Sequence, residues 1–148
     1  MKNVNSYVPK IEISRYQSEM KKVVINNSQL GADFCRSFYF DDIHVFESSF
    51  ILLLNNSNET IGFAKISQGG LVGAVVDVRL VAHYAVQALA VGVIICHNHP
   101  SGKLQPSEQD KRLTVKVKQG LDILDIKLLD HIILTGSGYF SFADEGLL

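Results

Sequence analysis

Apolar and polar positions alternate along this chain in blocks that predict an α/β domain. The clearest block is Val93-Ile94-Ile95-Cys96, an unbroken apolar run between Gly92 and His97. Such a run suits a central strand buried on both faces. Upstream, Phe50 to Leu54 and Thr60 to Ser67 flank Asn55-Asn56-Ser57-Asn58 and read as a hairpin. His44-Val45-Phe46-Glu47 reads as an extended segment leading into it. Downstream, Ile126 to Leu134 and Tyr139 to Phe142 flank Gly136-Ser137-Gly138 and read as closing strands. Val8 to Ile13, and Leu71 to Val76 with Gly73 inside it, are expected to add two short strands.

Three segments carry helical patterns. Asn27 or Ser28 can cap a helix running through Leu30, Phe34, Cys35 and Phe38. Asp77 can cap a second, from Val78 to about Ala90, with Leu80, Tyr84 and Leu89 on its apolar face and Gly92 at its end. A long third helix starts near Ser107 and runs to about Ile123. The order β-β-β-α-β-α-β-β predicts an α/β fold, a mixed central β-sheet flanked by helices. Residues 1–27, with the basic pair Lys21-Lys22, read as an N-terminal leader segment, and 28–148 as one domain.

Composition narrows the function. The 148 residues are 47% hydrophobic and 20% charged, enough for a sizeable core and unlike a disordered chain. A net charge of -1 argues against direct nucleic-acid binding, which usually brings a basic excess, and lends nothing to membrane-surface binding. Lys111, Arg112, Lys116 and Lys118 put positive charge on the long helix, where a solvated face is the simpler reading than phosphate contacts. The longest apolar stretch, Ala88 to Cys96, is too short to span a bilayer, and the N-terminus lacks the apolar core of a secretory signal. Cys35 and Cys96 lie far apart with no finger or CxxC spacing, so a reducing cytoplasm is the expected compartment.

Against that background, His97-Asn98-His99-Pro100 carries chemistry. Its two histidines sit two apart at the end of a buried strand, where an extended chain turns both to the same side. Asp110 follows eleven residues after His99 in the first turn of the next helix, and a loop with Pro100, Gly102 and Pro106 can fold it back. Two imidazoles and one carboxylate hold zinc and leave a fourth position for water, as catalytic rather than structural sites do. Bound zinc brings the pKa of its water to about 7. Each part has an ordinary alternative. Ser107-Glu108-Gln109-Asp110 is also a common helix opening, and two histidines in a loop can be surface residues. Their coincidence at the mouth of an apolar strand favours a metal.

The spacing His-x-His-Pro, six residues, Ser, two residues, Asp resembles that of the JAMM (MPN-plus) metalloproteases. More narrowly, HNHPSG, PSEQD followed by Thr114, LLDHIIL at 128–134 and GYFSFADEG at 138–146 resemble the bacterial RadC family, from about residue 28 to the C-terminus. The helix-hairpin-helix region associated with DNA binding in that family has no counterpart in residues 1–27, so the chain resembles the catalytic domain alone. The resemblance implies a cytidine-deaminase-like JAB/MPN fold with zinc on His97, His99 and Asp110. It also implies Glu47 as the base for the zinc-bound water, and Ser107 as donor to the oxyanion of a tetrahedral intermediate. The implied function is a hydrolase of peptide or isopeptide-like amide bonds, with peptides or proteins as substrates. The alternatives are a DNA repair or recombination accessory protein, as the RadC label suggests, and a metal-binding scaffold without turnover. Read without the resemblance, Glu47 is an ordinary strand carboxylate.

Other residues are set aside. His44 and His83 read as surface or packing residues. Asp130-His131 lies in an apolar strand, where a buried acid needs a partner. It reads as a satisfied structural pair before it reads as a support for the metal site. Cys96 reads as a core thiol. The letters HNH do not make an HNH nuclease, whose residues are dispersed through a ββα unit. A zinc nucleobase deaminase needs His-x-Glu and Pro-Cys-x-x-Cys, which are missing.

Overall fold

A computed structural model describes residues 8–39, 42–69 and 76–148. Its elements are α1 (Ser28–Arg36), β1 (Ser48–Leu54), β2 (Thr60–Gln68), α2 (Val78–Gln87), β3 (Gly92–Asn98), α3 (Glu108–Ile123), β4 (Lys127–Leu134) and β5 (Tyr139–Ser141). The strands form one sheet in the order β2-β1-β3-β4-β5. Every neighbouring pair is antiparallel except β3 and β4, which run parallel with α3 as the crossover between them. A parallel pair needs such a crossover. The expected α/β fold with a mixed, helix-flanked sheet is therefore present.

Every residue of β3 is buried, as its unbroken apolar run requires. Its side chains alternate between two cores. Val93 and Ile95 pack with Val81 and Ala85 of α2 and Val117 and Leu121 of α3. Ile94 and Cys96 pack with Ala32 and Cys35 of α1 and with Phe38 and Phe50. Helices thus cover both faces, and the C-terminal end of β3 reaches the rim of both cores.

Local chemistry explains the helix starts. Asn27 caps α1 by accepting from the Leu30 amide at 2.9 Å, and Asp77 caps α2 by accepting from the Arg79 amide at 2.9 Å. At α3 the Ser107 hydroxyl accepts from the Asp110 amide at 3.1 Å, and the Asp110 carboxylate accepts from the Ser107 amide at 2.7 Å. These reciprocal bonds are a capping box.

Several expectations are corrected. Val8 to Ile13 forms no strand; Val8 and Ile11 are largely exposed. Within the expected extended segment His44 to Glu47, the first residues are not extended: the Val45 and Phe46 amides both donate to the Asp42 carbonyl, closing a turn, and Glu47 lies between it and β1. Leu80 and Leu89 point away from the core, which takes Val81 and Ala85 instead. Gly92 opens β3 rather than ending α2; the Leu129 side chain lies where its Cβ would stand, 2.5 Å away. α2 ends earlier, through Leu89 at φ 53°, with Leu89 N–H donating to Val86 and Ala90 N–H to Ala85. This pair of bonds is a Schellman ending made without glycine. α3 ends the same way through Asp125 at φ 57°. The strand expected at 71–76 falls, apart from Val76, outside the described residues.

Candidate metal centre

β3 and the start of α3 bring three donors together. His97 Nε2 lies 3.0 Å from His99 Nε2 and 3.3 Å from Asp110 Oδ1, and His99 Nε2 lies 3.4 Å from Asp110 Oδ2. Donors bound to one tetrahedral zinc-sized ion at 2.0–2.2 Å stand about 3.3 Å or slightly more apart. Two of these distances match that spacing and the third is slightly shorter, with one Asp110 oxygen toward each imidazole, so the residues fit a metal ion. Glu47 joins from the residue just before β1, with Oε1 4.0 Å from His97 Nε2, and the four ligand atoms all lie within 4.8 Å of one another. Side-chain exposure rises from 3% at His97 through 12% at Asp110 and 14% at His99 to 24% at Glu47. The cluster is rooted in the core and opens to solvent on the Glu47 side.

Each donor is held from behind. His99 Nδ1 lies 2.7 Å from the Lys103 carbonyl, which can only accept; Nδ1 therefore carries the proton, and Nε2 offers a lone pair. The capping box pins Asp110 by its Oδ2 while both its oxygens face the imidazoles. His97 Nδ1 meets His131 Nε2 at 2.8 Å. Asn98, turned the other way and fully buried, grips the segment that carries Glu47. Its Oδ1 accepts from the Ser48 amide at 2.8 Å, and its Nδ2 donates to the Phe46 carbonyl at 2.8 Å and the Ile43 carbonyl at 2.7 Å. Two of these partners are the immediate neighbours of Glu47.

A family model for the RadC-like JAB domain matches residues 25–147. The chain belongs to this family. Among curated relatives, a protein named UPF0758 from Flavobacterium johnsoniae is 52% identical over 101 residues, covering 68% of this chain and 44% of that protein. One of the same name from Porphyromonas gingivalis is 48% identical over 103 residues, covering 69% and 45%. One from Shewanella frigidimarina is 32% identical over 139 residues, covering 92% and 61%. The chain spans about half the length of the curated relatives it matches.

The electrostatics of this RadC-like domain also suit a cation. Burial alone would raise the Asp110 pKa, but the His97 and His99 rings, which donate to it only when a proton sits at Nε2, and the Ser107 amide hold the carboxyl far below the usual range. Burial disfavours a charged His99, yet its bonds to Asp110 and the Lys103 carbonyl, with the charges of Asp110 and Glu47, outweigh that and raise its pKa above 6.5. The metal-free cluster thus attracts a positive charge, and a proton there is the competitor of a metal ion.

Glu47, His97, His99 and Asp110 are brought together; Ser107 adjoins them through the box it shares with Asp110. Asp130 and His131 do not pair side chain to side chain. Asp130 accepts from the Ser141 hydroxyl at 2.6 Å and the Ala143 amide at 3.0 Å and so braces the C-terminal turn, while burial pushes its pKa up. Asn98 is the residue that sequence reasoning missed; the signal available was an amide in a strand end otherwise expected to be buried. A cavity of about 840 Å³ is lined by Phe38, Tyr39, Phe46, Phe50, Phe63 and Lys65 among others, but by none of the four donor residues. Among the described residues no helix is long and apolar enough to cross a membrane.

Proposed function

We propose that this RadC-like domain is a zinc-dependent hydrolase of the JAMM type, cleaving peptide or isopeptide-like amide bonds in cytoplasmic peptide or protein substrates. The observation that carries the reading is the spacing of the cluster. Two imidazoles and the Asp110 carboxylate converge within 3.0–3.4 Å, close enough to share one ion, while Glu47 stands farther out, 4.0 Å from His97, where a base beside the ligand set would. Zinc on His97, His99 and Asp110 would polarise the scissile carbonyl and make hydroxide accessible near neutral pH.

The chain's own groups supply the rest. Glu47, the most exposed of the four, takes the proton of the attacking water and returns it to the leaving amine. The Ser107 hydroxyl accepts from the Asp110 amide and can still donate its own proton, so it can steady the oxyanion without giving up its cap. The net charge of -1 gives the chain little general attraction for nucleic-acid phosphates.

The test is metal content and amide hydrolysis measured together. Wild-type protein supplied with zinc should hold about one ion per chain, and a panel of peptide and isopeptide-linked substrates should be cleaved by wild type and not by Glu47→Gln. A wild-type protein that takes up no zinc refutes the reading. Zinc uptake without hydrolysis of any member points to a scaffold, and salt-dependent DNA binding unchanged in Glu47→Gln points to an accessory role in DNA repair.

A further inference from the structure

Behind His97 lies a buried chain of hydrogen bonds that the hydrolytic reading does not use. His97 Nδ1 meets His131 Nε2 at 2.8 Å, His131 Nδ1 meets the Thr114 hydroxyl at 2.6 Å, and that hydroxyl meets the Asp110 backbone carbonyl at 2.7 Å. His131 and Thr114 are 0% and 1% exposed. The ring of Phe142 stacks on His131 at 4.7 Å, so the imidazole cannot turn freely. The chain begins on one metal-facing residue, His97, and ends on the backbone of another, Asp110.

Two proton orders can be written along it. In the first, Thr114 donates to the Asp110 carbonyl. Its single proton is then spent, so it accepts from His131 Nδ1–H. A His131 ring that carries its one proton on Nδ1 presents a lone pair at Nε2, and His97 Nδ1–H donates to it. In the second order every bond is reversed. Thr114 then gives its proton to His131, and its oxygen is left 2.7 Å from a carbonyl oxygen with no proton between them. Two acceptors at that separation repel, and a carbonyl has no proton to offer. Only the first order satisfies all three contacts.

We propose that Thr114 and His131 are positioning residues that lock His97 as its Nδ1–H tautomer, so that its Nε2 lone pair always faces the donor cluster. The inference rests on reading that cluster as a metal centre. The reversed order would put a proton on His97 Nε2, at the spot where the other two donors converge. The carbonyl of Asp110 sets the direction, so the helix that supplies one ligand also orients another. His99 needs no such relay, because the Lys103 carbonyl fixes its tautomer directly.

Two readouts test this, one free of metal. Long-range ¹H–¹⁵N correlation of the histidine rings in metal-free wild type should show His97 and His131 both protonated at Nδ1. In Thr114→Val the direction of the chain is released, and zinc affinity measured by competition with a chromogenic chelator should fall roughly 10–100-fold, as loss of a ligand's supporting partner does. Thr114→Ser keeps the hydroxyl and should restore wild-type affinity. His97 protonated at Nε2 in wild type overturns the proposal, and so does a folded Thr114→Val that binds zinc as tightly as wild type. If Thr114→Val does not fold, the wild-type tautomer and the affinity of Thr114→Ser decide. A wild type that binds no zinc yet shows the Nδ1–H pair refutes the metal reading and leaves the proton order standing.

Discussion

His97 and Asn98 are consecutive residues at the end of β3, and the strand turns them to opposite faces. On the α3 face His97 meets His99, Asp110 and His131, all groups that can bind an ion or orient one that does. On the other face Asn98 meets only backbone, the amide of Ser48 and the carbonyls of Phe46 and Ile43. Both are buried polar residues whose hydrogen bonds are met, yet the first set converges on a shared point and the second on a chain segment. The difference teaches how to tell a site from a brace. Donors that aim at one another with lone pairs need a cation between them, whereas donors matched to acceptors need nothing more.

Substitutions on the two faces should therefore fail differently. Asp110→Ala removes a donor and the carboxylate half of the capping box, leaving only the Asp110 amide on the Ser107 hydroxyl. It should abolish stoichiometric zinc binding, the largest effect expected, as metal analysis after gel filtration would reveal. Glu47→Gln should keep the zinc and lower amide hydrolysis by roughly 10²–10⁴, the range of a general base; equal zinc and unchanged turnover would remove Glu47 from the chemistry. Asn98→Ala, on the opposite face, orphans one amide and two carbonyls and should cost about 3 kcal/mol in denaturant unfolding. It should also slow hydrolysis by freeing the Glu47 segment, while zinc affinity changes little. Loss of zinc in that variant would mean that the two faces are not separable.

Acidity sharpens the comparison further, because the His97 face also carries His99, whose pKa is raised. Zinc needs His99 neutral, and the folded pKa of His99 lies above its ordinary 6.5. Proton competition therefore sets in above pH 6.5 and strengthens as pH falls, with apparent zinc affinity dropping about tenfold per unit once His99 is protonated. In the metal-free domain the sign is opposite. The raised pKa contributes stability below pH 6.5, and that contribution disappears as pH rises through the folded value. Titration calorimetry across pH 5.5–8.5, roughly the window around the ordinary histidine pKa, reads the first effect; a flat profile contradicts the assignment of His99 as a ligand. The smallest effect lies away from both faces. Leu89 is 81% exposed and sits at φ 53°, so Leu89→Gly should stabilise the fold by up to about 1 kcal/mol in thermal unfolding.

What could be read from the sequence followed the range of the interactions. The buried strand β3, the caps at Asn27, Asp77 and Ser107 and the convergence of His97, His99 and Asp110 depend on residues near one another in the chain, and their spacing announces them. Glu47 came only through the family resemblance, because it lies just before β1, outside any strand, and reaches the cluster across strand pairing. Asn98 looked like a spacer between histidines; its partners Ile43, Phe46 and Ser48 are about fifty positions away, and no local pattern links them. Asp130-His131 shows the same limit. Neighbours in a strand separate to opposite faces, so an acid beside a histidine in sequence became two unrelated contacts in space. The end of α2 escaped because Leu89 adopts a left-handed conformation usually marked by glycine, whereas the end of α3 near Ile123 was read correctly.

The central claim is that His97 Nε2, His99 Nε2 and the Asp110 carboxylate are the ligands of one zinc ion. A crystal of the protein grown with zinc, with anomalous difference maps recorded on both sides of the zinc edge, tests it most directly. The account predicts one strong peak about 2.0–2.2 Å from those three groups, with the Glu47 carboxylate beside it but unbound. A cluster that stays without a peak at saturating zinc, or an ion bound through Nδ1 of either histidine, would contradict it.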